Sequence, residues 1–174
     1  MKIKIIAAVL CLFTLCSCRG IDSYREPEQV AVISSVGFDI KDNKYFVTLE
    51  TVEDGKTETL SASSLKVSEA FYSLQRNTAK SLFYGHTSVI ILGESLGEKE
   101  IDEILAYCKE NRDISLACRV VLTENANKLL SGNEENIGEK IVTLITNREK
   151  EGEKIDCTLY RVLKSRSSIY YYGN

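Results

Sequence analysis

Few residues in this sequence could form a catalytic centre. His86 is the only histidine, and it stands just before an apolar run. No Gly-x-Ser-x-Gly, His-Glu-x-x-His or glycine-rich phosphate loop accompanies it, so no nucleophile is paired with a base. We therefore expect His86 to be a structural residue at the entrance of a strand. We also expect that the chain is not an enzyme and that it binds neither a metal nor a cofactor.

Acidic residues are numerous, but their spacing places them on the predicted solvent faces of helices, where charge usually serves hydration. These residues are Asp102, Glu103, Glu134, Glu135, Glu139 and Glu149. The formal charge of the chain is −3, and it becomes more negative if Lys2 and Lys4 leave with a signal peptide. This acidic balance argues against a nucleic-acid partner and against a polybasic membrane surface.

Cys18 is the residue whose chemistry the sequence predicts. Lys2 and Lys4 precede an uncharged apolar stretch, Ile5 to Leu15, which has the length of a signal peptide and is too short to span about 30 Å of hydrocarbon. The sequence Leu15-Cys16-Ser17-Cys18 resembles a bacterial lipobox, in which a small residue precedes the cysteine that is diacylated. We predict that residues 1–17 are a lipoprotein signal peptide and that Cys18 is lipidated.

Two alternatives stay open at this signal. Cys16 is a competing lipidation site, but bulky Leu15 would then stand where a small residue is needed. A plain secretory peptide would leave Cys18 unmodified. Two acyl chains, at about 0.8 kcal/mol per buried methylene, anchor a protein stably. With Cys18 lipidated, residues 18–27 form a short tether and the mature protein lies on the extracytoplasmic face of a membrane.

Three further cysteines, Cys108, Cys118 and Cys157, follow the signal region. Their odd number and their spacing match no CxxC or metal-ligand pattern, which favours small buried hydrophobic residues. Export would also permit a disulfide between Cys108 and Cys118.

The elements that must position these residues begin with a strand, a helix and a second strand. Thr87 to Leu92 is an apolar, β-branched run typical of a strand buried on both faces. The next segment has Ser95 and Glu98 as a capping box, followed by apolar residues at helical spacing. Leu116 to Thr123 predicts a second strand, parallel to the first through a right-handed crossover.

Further elements flank this crossover. Residues 29–40 and 45–52 predict a β-hairpin about a turn at 41–44, and residues 56–64 weakly predict an edge strand. Helical spacing predicts helices at about 67–77, 124–130 and 137–150. Another helix, with Asp156 as a candidate N-cap, is preferred near 159–163, although the alternation from Ile155 to Leu163 also permits a strand. Residues 169–172 predict a last strand. The sequence thus predicts a single α+β (mixed α/β) domain, residues 28–174, with a mixed β-sheet, a strand-helix-strand crossover core and flanking helices.

The order of these segments resembles the Ger(x)C family, the lipoprotein C subunits of bacterial spore germinant receptors. The resemblance rests on the lipobox, on residues 30–40 with their hairpin partner, and on residues 68–74, 84–94, 111–116 and 158–163. It extends to about Tyr172, all within the N-terminal domain of the family. The C-terminal domains of the family are expected to be absent from this chain.

The resemblance implies a function in nutrient-triggered spore germination. It implies a non-enzymatic subunit that is lipid-anchored on the outer face of the spore inner membrane and works with two integral membrane subunits, A and B. The alternative is an extracytoplasmic lipoprotein that captures a small ligand for a transporter. A pocket of several hundred Å3 with polar groups near His86 would favour that alternative.

Overall fold

The structure, a computed structural model, describes residues 29–53, 56–132 and 134–173. Its strands are β1 (Val30–Lys41), β2 (Lys44–Glu53), β3 (Lys56–Ser64), β4 (Ser81–Phe83), β5 (Val89–Gly93), β6 (Arg119–Thr123) and β7 (Tyr170–Tyr171). Its α-helices are α1 (Val67–Arg76), α2 (Glu98–Glu110), α3 (Ala126–Leu130), α4 (Ile137–Lys150) and α5 (Leu159–Lys164), and a 3-10 turn covers Arg166–Ser168. The predicted lipidation site, Cys18, lies outside the described residues.

The strands form one mixed sheet in the order β3-β2-β1-β5-β6-β7, with β4 beside the first residues of β1. β2 is antiparallel to both of its neighbours, β1 and β3, whereas β1, β5, β6 and β7 run parallel to one another. The predicted crossover is confirmed, because α2 connects the adjacent parallel strands β5 and β6. All five residues of β5 are buried, as expected for an interior strand. The α+β prediction is therefore confirmed.

The predicted hairpin joins β1 to β2 through a two-residue turn. Asp42 and Asn43 have φ values of 51° and 57°, and Lys41 pairs with Lys44 across the turn. Two successive positive φ values twist the chain in the sense that two-residue hairpins require, and Asn and Asp tolerate them. The turn fixes which strand residues face each other.

Helices cover both faces of the sheet. On the first, called here the α2 face, α1, α2 and α5 pack over an apolar cluster that includes Phe38, Ile90 and Val120. On the second, the α4 face, α3 and α4 pack over a smaller cluster that includes Ile91 and Val121. Neighbouring residues of one strand thus serve opposite clusters, because side chains alternate along a strand.

Some local predictions were wrong. The N-cap of α2 is Gly97, without a side-chain bond, and the Ser95 hydroxyl accepts a hydrogen bond from the Ile40 amide at 2.9 Å instead. Thr158, rather than Asp156, caps α5 by accepting from the Arg161 amide. β6 begins three residues later than expected, at Arg119. β4 was missed because three residues are too few to show a period.

Candidate functional site

Glu50 is a fully buried carboxylate on the α4 face, and the sequence analysis did not single it out. Its Oε2 atom accepts hydrogen bonds from the hydroxyls of Ser34 and Ser35 at 2.7 and 2.6 Å. The first amides of α4 complete the set, since Ile137 N lies 2.7 Å from Oε1 and Gly138 N lies 3.1 Å from Oε2. A carboxylate at a helix N-terminus satisfies unpaired amides and complements the helix dipole. Glu50 therefore fixes the start of α4 on the sheet.

Asp39 performs the same task for α3. The carboxylate is 5% exposed and accepts from the amides of Ala126 at 3.2 Å and Asn127 at 2.7 Å. The Ser95 hydroxyl lies 3.4 Å from the same carboxylate. The amide group of Asn127 in turn donates to Thr48 on β2, at 2.7 Å. The α4 face thus uses two strand carboxylates to hold the N-termini of two helices.

Glycine permits this close approach at both carboxylates. A Cβ atom on Gly138 would lie 1.9 Å from the Ser35 hydroxyl oxygen and 3.0 Å from Glu50 Oε2. A Cβ atom on Gly93 would lie 1.8 Å from Asp39 Oδ1. Any side chain at these positions would displace the carboxylate or the helix.

The arrangement is structural rather than catalytic in character. A general base needs a lone pair directed at a substrate proton, whereas both Glu50 oxygens accept protein donors inside the fold. Throughout the described ranges, every buried side-chain nitrogen or oxygen has a hydrogen-bond partner. A signal was present in the sequence, because a carboxylate within a strand that is apolar on both faces must find partners when the strand is buried. What it could not show was which helix would supply them.

The residues that the sequence did single out are not brought together. His86 is exposed in the loop before β5, where its ring lies 5.8 Å from the Phe83 ring. The helix carboxylates predicted to face solvent are exposed, apart from half-buried Glu149, which pairs with Arg119 at 2.9 Å. Within the described residues, no three His, Cys, Asp or Glu side chains are grouped closely enough to hold a metal ion.

The three described cysteines are free and buried, in agreement with the favoured interpretation. Burial raises the pKa of Cys108, and it raises the pKa of Cys118 to about 12, so both thiols are neutral and unreactive. Cys157 belongs to the α4-face cluster, whereas Cys108 and Cys118 belong to the α2-face cluster. The three cysteines are thus divided between the two clusters.

A cleft of about 470 Å3 opens where β6 and β7 end, beside α3. Ligands of open α/β sheets commonly bind at the carboxyl ends of parallel strands. Among its lining side chains are Glu124, Lys128 and Tyr171. Two other clefts, of about 580 and 560 Å3, lie along α4 and between α2 and the β1–β2 turn. His86 lines none of these three clefts, so they do not provide the site that the ligand-capture alternative required.

A family model described as the spore germination protein N-terminal domain matches residues 23–170, most of the chain. The chain belongs to this family. The match confirms the resemblance to the N-terminal domain of Ger(x)C proteins and assigns the chain a role in spore germination. No curated protein and no solved structure matches the chain.

The spore germination domain leaves one long sheet edge open. β3 pairs with β2 over nine consecutive residue pairs, and no second strand pairs with β3 in the part of the chain that the structure describes. Its charged residues, Lys56 and Glu58, lie at the start, and Thr59 to Ser64 carry no charge. Such an edge can accept a further strand. Of the helices in the described ranges, none has the length and apolar composition to cross a bilayer.

Proposed function

We propose that this chain is the lipid-anchored, non-catalytic subunit of a spore germinant receptor and that it docks to the two integral membrane subunits. The family match over residues 23–170 carries the proposal, because it assigns the domain to spore germination. The lipobox at Cys18 supplies the anchor in this proposal, since a diacylated cysteine holds a domain at a bilayer.

The structure supports a role without catalysis through its polar groups. The buried carboxylates Glu50 and Asp39 serve as helix caps, and the thiols of Cys108 and Cys118 are buried and neutral. The function that remains is binding. Holding the domain at the membrane raises its effective concentration beside its partners, so that a weak docking surface suffices.

The open edge of β3 is the surface that best suits such docking. An added strand would gain main-chain hydrogen bonds, and the side chains from Thr59 to Ser64, which are small and uncharged apart from the larger Leu60, would not obstruct it. Thr59→Lys places a charge on this edge, as natural edge strands do to prevent pairing. We expect it to reduce copurification with the membrane subunits, whereas Thr143→Lys on the exposed surface of α4 should not. Equal copurification of the two variants would exclude the β3 edge.

The anchor is tested by Cys18→Ala in spores of a strain that lacks the native gene. We expect the variant to leave the membrane fraction and to lose nutrient-triggered germination. Cys16→Ala is the matched control, because it removes the competing cysteine and preserves the predicted lipidation site. The proposal fails if Cys18→Ala remains in the membrane and supports germination. Loss of anchoring in Cys16→Ala alone would instead assign lipidation to Cys16.

A further inference from the structure

One end of the α4 face carries apolar side chains that none of the helices in the described part of the chain covers. In the β1–β4 pairing, Val32 lies opposite Phe83 and Val30 lies opposite Ser81. Because Ala31, Ile33 and Leu82 point into the α2-face cluster, their alternate neighbours Val30, Val32 and Phe83 point to the α4 face. These three residues are called here the apolar strip.

The strip is outside both apolar cores. Phe83 is 41% exposed, and Val30 and Val32 are half-buried. None of the three belongs to the cluster of either face. The helices of the α4 face pack farther along β1, where Gly138 approaches Ser35 and Ala126 approaches Gly37. An exposed apolar patch of this kind commonly marks a contact surface.

The strip adjoins the first residue that the structure describes. Gln29 is the first described residue, and Val30 of the strip follows it directly. The tether from Cys18 to Gln29 can span at most about 40 Å, because an extended chain advances by about 3.3–3.6 Å per residue. An acylated Cys18 would therefore keep the start of β1 within about 40 Å of the bilayer.

We infer that the apolar strip lies against the lipid surface, so that the domain meets the membrane through Phe83, Val30 and Val32. The inference rests on the lipid anchor of the proposed function and adds the orientation of the anchored domain. The strip and its neighbours Gln29, Ser34 and Ser81 carry no formal charge, and the chain as a whole carries −3. Contact through the strip itself would therefore rest on its apolar side chains, which gain free energy on entering the acyl boundary.

The absence of tryptophan from the sequence allows a direct test. Phe83→Trp and Val30→Trp each place a single fluorophore on the strip. Tyr72→Trp is the matched control, because Tyr72 is 65% exposed on α1, on the opposite side of the sheet. The full lipidated chain is incorporated into phosphatidylcholine vesicles, and flotation establishes that it is anchored. We expect brominated phosphatidylcholine to quench the two strip variants and to shift their emission to the blue, with the control unaffected.

Other outcomes would overturn the inference. Floated strip variants that are quenched no more than the control show that the anchor stands and the orientation is wrong. A blue shift that requires the added integral membrane subunits shows that the strip binds protein instead of lipid. Failure of the wild-type chain to float, with no change on Cys18→Ala, defeats the proposed anchor and this inference with it.

Discussion

The two faces of the sheet hold their helices by different means. On the α2 face, α1 and α2 are held by apolar side chains that recur at helical spacing, such as Leu74, Ile104 and Leu105. On the α4 face, α4 also buries apolar residues, but its first turn is fixed by the carboxylate of Glu50. Apolar burial has no preferred direction, whereas a carboxylate determines both the position and the end of a helix.

This difference determines which mutations should destabilise each face. The α2 face depends on filled volume, so it should tolerate changes that conserve shape and suffer when atoms are removed. The α4 face depends on a completed polar network, and such a network is costly once it is partly unsatisfied. A change of one atom type or the addition of one methyl group should therefore disturb the α4 face.

The largest effect is expected from Glu50→Ala. The variant leaves the Ser35 hydroxyl and two amides of α4 without their acceptor, while the Ser34 hydroxyl keeps only the main-chain oxygen of residue 50. This loss should lower the free energy of unfolding by roughly 3–5 kcal/mol. Denaturant unfolding measures the loss. Glu58→Ala, on an exposed position of neighbouring β3, should change it by less than about 0.5 kcal/mol. Similar losses in the two variants would show that Glu50 does not hold α4.

A comparable but somewhat smaller effect is expected from Leu105→Ala on the α2 face. Leu105 is fully buried, so truncation should cost about 3 kcal/mol through lost burial and the cavity that remains. Leu105→Met conserves volume and should cost less than about 1.5 kcal/mol. Glu50→Gln also conserves shape, yet it replaces an acceptor with a donor. If Glu50→Gln lowered the free energy of unfolding as little as Leu105→Met, the two faces would not differ in the way proposed here.

Gly138→Ala adds a single methyl group where α4 meets β1. The clash with the Ser35 hydroxyl should lower the free energy of unfolding by about 1–3 kcal/mol, in spite of the higher helix propensity of alanine. Gly132→Ala is the control, because its Cβ would make only ordinary contacts at 3.4 Å. Removing the clashing hydroxyl with Ser35→Ala should make the double variant less unstable than the sum of the single variants. If the losses of the two single variants simply add in the double variant, the destabilisation by Gly138→Ala does not come from a clash with the Ser35 hydroxyl.

Alkaline pH should act mainly on the α2 face, where burial raises the pKa of Cys108, Cys118 and Tyr84. The folded pKa of Cys118 is about 12, against 9.0 for an unperturbed thiol. The stability that this buried, neutral thiol contributes is fully present below the unfolded pKa of 9.0. It is lost as the pH rises from that value towards the folded pKa of about 12. The free energy of unfolding should then fall by up to about 1.4 kcal/mol per pH unit for each thiol.

Denaturant unfolding under reducing conditions at about pH 8 and about pH 10 measures this loss, since the window opens above the unfolded thiol pKa. Cys118→Ala should reduce the pH dependence without abolishing it, because Cys108 remains. An unchanged pH dependence in the variant would mean that Cys118 does not contribute.

Much of the α2 face could be predicted from the sequence. The stripe of α2 and the spacing of Val67, Ala70, Phe71 and Leu74 in α1 are local patterns, and their residues are buried as expected or nearly so. The crossover followed from one buried strand, one amphipathic helix and one further strand. The helix N-caps were less predictable from the sequence. The Ser95 hydroxyl could accept a hydrogen bond either from an amide of its own helix or from the distant amide of Ile40, and in the structure it accepts from Ile40.

The polar network of the α4 face could not be predicted in the same way. Glu50 and Ile137 are 87 positions apart, and so are Asp39 and Ala126. A carboxylate in a buried strand indicates that partners exist, but no sequence period links it to a helix N-terminus. Gly93 and Gly138 also had no visible role until the elements were placed against each other.

The sequence by itself determined most of the strands and helices, with β4 as the exception, the apolar face of the main helices, and the resemblance of the chain to the spore germination family. These properties depend on the spacing of residues close together in the chain. Only the tertiary structure decided which carboxylate meets which helix and which apolar residues, such as Val32 and Phe83, lie outside the two clusters of the described residues. Such contacts depend on how distant elements pack, because burial and polar satisfaction are settled only when the whole sheet and its helices assemble.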